Sequence, residues 1–78
     1  MDERSYSIET EEQVDGRWIA EILNFPCIAV AYGLTEAEAI TNVEALALRA
    51  LADQIEKSKT NTARVSFSLV NSLNGRAA

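Results

Sequence analysis

The sequence predicts an α+β domain in which three strands precede one long helix and a last strand follows it. Three observations carry that expectation. Apolar and polar residues alternate, with the period of a half-buried strand, in segments before and after a central block. That central block, about 36–57, keeps one unbroken helical periodicity behind a capping signal. A chain of 78 residues leaves room for a single domain, 1–78.

Strand one covers about 5–12, where Tyr6, Ile8 and Thr10 alternate with Ser7, Glu9 and Glu11. Asp15-Gly16 signals a turn. Strand two covers about 17–23, with Trp18, Ala20 and Ile22 on one face and Ile19 and Glu21 on the other. A two-residue loop would put Tyr6 and Ile8 on the face opposite Trp18. A three-residue loop, Val14-Asp15-Gly16, pairs Glu12 with Trp18, Thr10 with Ala20 and Ile8 with Ile22, so the apolar sets share a face. A one-residue slip inverts every side chain, so the three-residue loop with Gly16 left-handed is the expectation.

Asn24 to Cys27 reads as a connection, because Pro26 disfavours a ladder position. Strand three is expected at about 28–32, with Ile28, Val30 and Tyr32 on one side and Ala29 and Ala31 on the other. Trp18 and Tyr32 are expected in the core, and Cys27 as a small buried hydrophobe. Gly33 ends the strand. Thr35-Glu36-Ala37-Glu38 is a capping box, and its acids suit the helix dipole. About 22 helical residues span roughly 33 Å, against about 23 Å for a seven-residue strand, so the helix overhangs the sheet. Ser58 to Thr62 is a polar loop. Strand four is expected at about 63–70, where Val65, Phe67 and Leu69 alternate with Ser66 and Ser68, and Asn71 to Ala78 reads as a frayed end.

Composition narrows function. With no histidine there is no His general base, Ser-His-Asp triad or His zinc site. One cysteine excludes an internal disulfide and a Cys-cluster metal site. No cofactor or metal is therefore expected. No apolar run is long enough to span a membrane, and the acidic start does not resemble a signal peptide, so the expected location is the cytoplasm. The net charge is −5, and all 12 acids fall within residues 1–56. An acidic body repels phosphate and favours a basic protein partner.

Two features ask for an explanation, and each reads either as a partner surface or as ordinary exposed surface: a solvent-facing leucine in the first, a solvated sheet face in the second. The apolar arc of the helix is roughly 200° wide, against a usual stripe of a little over 100°. Ile40, Val43, Ala47 and Leu51 line its centre, and Leu46 and Leu48 lie on its shoulders as candidate oligomer contacts. A domain this small also gains stability by association. A homodimer or higher oligomer, joined by an edge strand or a helix shoulder, is expected. The second feature is acidic. Glu9 is expected opposite Glu21, with Glu11 and Ile19 nearby, on the face away from the helix. These four are the candidate partner-binding residues.

The order of three segments resembles the HicB-like antitoxin family. They are Asp15-Gly16-Arg17-Trp18-Ile19-Ala20-Glu21, then Phe25-Pro26, then Ala31-Tyr32-Gly33-Leu34-Thr35-Glu36-Ala37-Glu38-Ala39. Glu44-Ala45-Leu46-Ala47-Leu48 is similar to the family's helix. The likeness covers about residues 5–57 and, weakly, the last strand. Cys27 stands where the family's glycine follows the proline, and the stretch to Gly33 has room for a bulge. The resemblance implies a partial RNase H-like β-β-β-α-β fold. Its mixed four-stranded sheet has the order 3-2-1-4, with a right-handed crossover helix on one face. It also implies a function: binding and neutralising a small basic HicA-type toxin that cuts mRNA. Many family members carry a C-terminal DNA-binding domain. This chain is expected to lack one, so no direct DNA binding is expected.

Other classes fit less well. A two-metal nuclease needs converging carboxylates. Glu9 stands apart from Glu38 and Glu44 of the helix, and strand four has no acid. An RNA-binding sheet would show aromatics among basic residues, not Glu9, Glu11, Ile19 and Glu21. The alternative to an antitoxin is a solitary self-associating structural or regulatory module.

Overall fold

The computed structural model describes residues 2–59 and 62–74. It contains β1 (Asp2–Glu12), β2 (Trp18–Ile22), β3 (Val30–Gly33), α1 (Glu36–Ser58) and β4 (Thr62–Asn74). The sheet is mixed, with order β3-β2-β1-β4. β1 pairs antiparallel with β2, β2 antiparallel with β3, and β4 parallel with β1. One helix packs on one face, so the chain is an α+β fold with the expected strand order.

The β1–β2 hairpin shows how local chemistry sets register. Ile8 pairs with Ile22, Thr10 with Ala20 and Glu12 with Trp18. The Gly16 amide donates to the Gln13 carbonyl at 2.9 Å, and the Gln13 amide donates to Arg17 at 2.7 Å. Gly16 has φ 91°, the left-handed residue that a three-residue loop requires. Asp15 accepts from the Arg17 amide at 3.1 Å and the Arg17 guanidinium at 2.9 Å. The amide bond foremost, with the guanidinium bond, holds its carboxyl below the ordinary value.

The core lies between α1 and the inner sheet face. Tyr6, Ile8, Ala20, Ile22 and Ala29 meet Ala39, Val43, Ala47 and Leu51 there. Ala39, one turn before Val43, joins Val43, Ala47 and Leu51 in the buried stripe, and Ile40, expected at its centre, lies partly buried on its flank. Leu46 also packs against the core, whereas Leu48 is 49% exposed. The Tyr6 ring meets Phe25 at 5.0 Å and Phe67 at 5.8 Å.

β3 departs from expectation. It begins at Val30, and Ile28 lies outside the ladder and is exposed. Its inward row is Ala29, Ala31 and Gly33, so Tyr32 faces outward, 51% exposed, and is not a core residue. The reason is steric. A Cβ on Gly33 would lie 2.4 Å from the Ala39 amide nitrogen, so the helix start sits directly on this row. Cys27 is exposed rather than buried, because it belongs to the connection after Pro26 and not to a strand.

α1 opens as its sequence predicts. The Thr35 hydroxyl accepts from the Glu38 amide at 3.1 Å. The Glu38 carboxylate reaches back to the Leu34 amide at 2.6 Å, one residue beyond the capping residue itself. Lys59 closes the helix at φ 58°, its amide donating to Ile55 at 2.8 Å.

β4 runs further than expected, since Asn71 to Asn74 continue the parallel ladder opposite Glu9 to Glu12. Backbone pairing does not need the apolar alternation that fades after Leu69. The expected 58–62 loop and the frayed end fall partly outside the described residues, at 60–61 and 75–78.

Candidate functional site: the outer sheet face

The face away from α1 is built by the residues that the hairpin register turns outward. Glu9 is directly opposite Glu21, and Glu11 is opposite Ile19. β3 and β4 extend both rows. Val30 flanks Glu21 and Asn71 flanks Glu9, while Tyr32 flanks Ile19. The first row across the sheet therefore reads Val30, Glu21, Glu9, Asn71, and the second reads Tyr32, Ile19, Glu11. All four candidate residues, Glu9, Glu11, Ile19 and Glu21, share this surface.

Cβ atoms of directly opposed residues lie about 4.5–5.5 Å apart, so Glu9 and Glu21 hold like charges side by side. Glu9 has one compensation: the Asn71 amide Nδ2 donates to its Oε2 at 3.0 Å. Glu11 and Glu21 are exposed. Two carboxylates at this spacing suit a guanidinium or ammonium group placed between them.

Tyr32 was missed as a face residue. The Arg17 guanidinium lies 5.3 Å from its ring centroid, a cation–π contact at the border of the acidic rows. The signal was present in the sequence: small residues at positions 29, 31 and 33 mark the side that must accommodate a helix. Asn71 was missed because a residue is skipped in β4 at Val70, where the ladder shifts between Ile8 and Glu9. That bulge turns Asn71 outward and Ser72 inward.

The helix side has a different polar cluster. Thr10 is the buried polar residue among the described ones, 1% exposed, and its hydroxyl donates to Glu36 Oε2 at 2.7 Å. Ser72 donates to the same carboxylate oxygen. The Ser72 bond first, and then the Thr10 bond, hold the Glu36 carboxyl below the ordinary 4.5. This cluster ties α1 to β1 and β4, and it was not anticipated.

Among the described residues no three acidic or cysteine side chains gather as a metal site. No helix among them is long and apolar enough to cross a membrane. A shallow groove of about 320 Å³ lies between Phe25, Pro26 and Cys27 and the C-terminal half of α1. Comparison with protein-family models, with curated proteins and with solved structures finds no match.

Proposed function

We propose that this chain is a non-enzymatic, antitoxin-like cytoplasmic protein that binds and neutralises a small basic toxin of the HicA type. The supporting observation is the directly opposed Glu9–Glu21 pair, with Glu11 beside it, on an open sheet face. Such a pair costs a few tenths of a kcal/mol in the free protein. A basic side chain seated between the two carboxylates turns that repulsion into two charge-assisted hydrogen bonds. The net charge of −5 would speed the encounter with a cationic partner. Resemblance to HicB-like antitoxins gives this chemistry its partner class, and a partial RNase H-like fold is part of the same reading.

The test is an mRNA-cleavage assay with a small basic protein encoded beside this chain. Wild-type protein should suppress cleavage, and Glu9→Lys with Glu21→Lys should not, while both fold alike by circular dichroism. Equal suppression by the charge-reversed variant would remove this face from the account. A second reading, a solitary self-associating module, is favoured by the long β4 edge, which no other strand pairs among the described residues.

A further inference from the structure

The edges of the sheet are not equivalent. β3 offers only four residues. Where β1 extends past β2, its edge at Ser5 and Ser7 is closed by one side chain. Asn24 Nδ2 donates to the Ser5 carbonyl at 3.0 Å, and Asn24 Oδ1 accepts from the Ser7 amide at 2.9 Å. The carboxamide thereby makes the two bonds that a neighbouring strand would make, and it blocks that edge.

β4 is different. It is 13 residues long and lies at the outer edge of the sheet. Its sequence has no proline and no acid, and Arg64 is its single ionisable residue. Its protections are that one charge and the irregularities at Ala63 and Val70, and among the described residues the regular stretch between them carries no other. α1 packs chiefly over β3 and β2 and less over β1. Leu69 and Val70 are accordingly 47% and 56% exposed, and Val65 and Phe67 are half-buried. The molecule is drawn out, with a radius of gyration of 13.7 Å. A compact chain of this length would have about 11.5 Å.

From these observations we infer that the β4 edge is a self-association surface, on which β4 of a second copy pairs antiparallel. The strand itself sets the register. Its ladder to β1 is irregular at Ala63 and at Val70 and regular between them. The stretch Val65–Leu69 is centred on Phe67 and alternates apolar, serine, apolar, serine, apolar. A two-fold axis at Phe67 pairs Val65 with Leu69 of the second copy, Ser66 with its Ser68, and Phe67 with its Phe67. Each pair then joins like with like on the same face, and a one-residue slip would not. The result is one eight-stranded sheet with β4 at its centre.

Charge selects a second copy over the basic partner here. All 12 acids lie outside β4, so two chains of net charge −5 meet at this edge without aligning carboxylates. A basic protein would be drawn instead to the Glu9–Glu21 rows.

Light scattering of the purified full chain should give twice the 8.5 kDa monomer mass. A Cys27→Ser background removes the exposed native thiol. In it, Ser66→Cys combined with Ser68→Cys should yield a covalent dimer on mild oxidation, because directly opposed residues meet the Cα spacing of a disulfide. Either cysteine alone should not, and Leu48→Lys should leave the dimer intact. An 8.5 kDa monomer, a dimer whose double-cysteine variant fails to cross-link, or a dimer dissolved by Leu48→Lys would each overturn the inference. None of these readouts involves a toxin, so they stand or fall apart from the proposed function.

Discussion

Replacing Glu36 with alanine should destabilise the protein far more than an acid at a helix start usually does. Its Oε2 accepts from both Thr10 and Ser72. Ser72 is exposed and can turn to water, but Thr10 is 1% exposed and cannot. The variant therefore leaves a buried hydroxyl without its acceptor, at about 1–3 kcal/mol. It also removes an acid from the first turn, worth about 0.5 kcal/mol. The expected loss is about 2 kcal/mol. At 4–8 °C per kcal/mol for a domain of this size, the Tm should fall by about 8–16 °C.

Urea denaturation, followed by the fluorescence of half-buried Trp18, measures the loss. A double-mutant cycle with Thr10→Val isolates its cause. In the native background Thr10→Val should cost about 1.5 kcal/mol, the low end for a hydrogen bond to a charged group, since Glu36 keeps its bond from Ser72. In the Glu36→Ala background it should restore stability, since it removes the orphaned hydroxyl. Two substitutions that add within about 0.5 kcal/mol would refute the reasoning.

The remaining predictions concern acid, space and access. The Glu36 carboxyl is depressed in the folded state relative to 4.5. Its contribution is thus fully present above that pH and is lost as pH falls through the depressed folded value. Glu36→Gln should flatten the acid limb of the stability–pH curve, and an unchanged limb would exclude this source. Gly33→Ala drives a methyl into the Ala39 amide and the Glu38 backbone, so it should cost about 1–3 kcal/mol in a thermal melt. An unchanged Tm would mean that α1 does not start on β3. Cys27, being exposed, should react with a thiol reagent in the native protein as fast as in urea, and slow native labelling would place it in the core.

How far the sequence foretells this molecule depends on the kind of interaction. The β1–β2 register was legible because two alternating patterns can share a face in only one phase, and Asp15-Gly16 supplies the turn for that phase. The helix start was legible because capping is local. Hydrophobicity alone assigns Tyr32 to the core, whereas the size of its neighbours assigns it to the outer face. Gly33 and Ala31 mark the crowded side. Cys27 is exposed for a related reason, since a residue's own apolarity does not say whether the backbone carries it inward. The Glu36 cluster joins residues 10, 36 and 72, and nothing local links them. It needs the β4 bulge at Val70, which period-two reading cannot place. Within the candidate site, Glu9 and Glu21 followed from the hairpin, while Asn71 and Tyr32 needed the whole sheet.

The acidic face is proposed to serve a basic protein partner. A tagged pull-down from the native host, with light scattering of the eluate after size exclusion, tests it most directly. The account predicts a small basic protein at fixed stoichiometry, lost when Glu9 and Glu21 are both changed to lysine. Recovery of a bare homo-oligomer, or of a partner indifferent to those two residues, would contradict it.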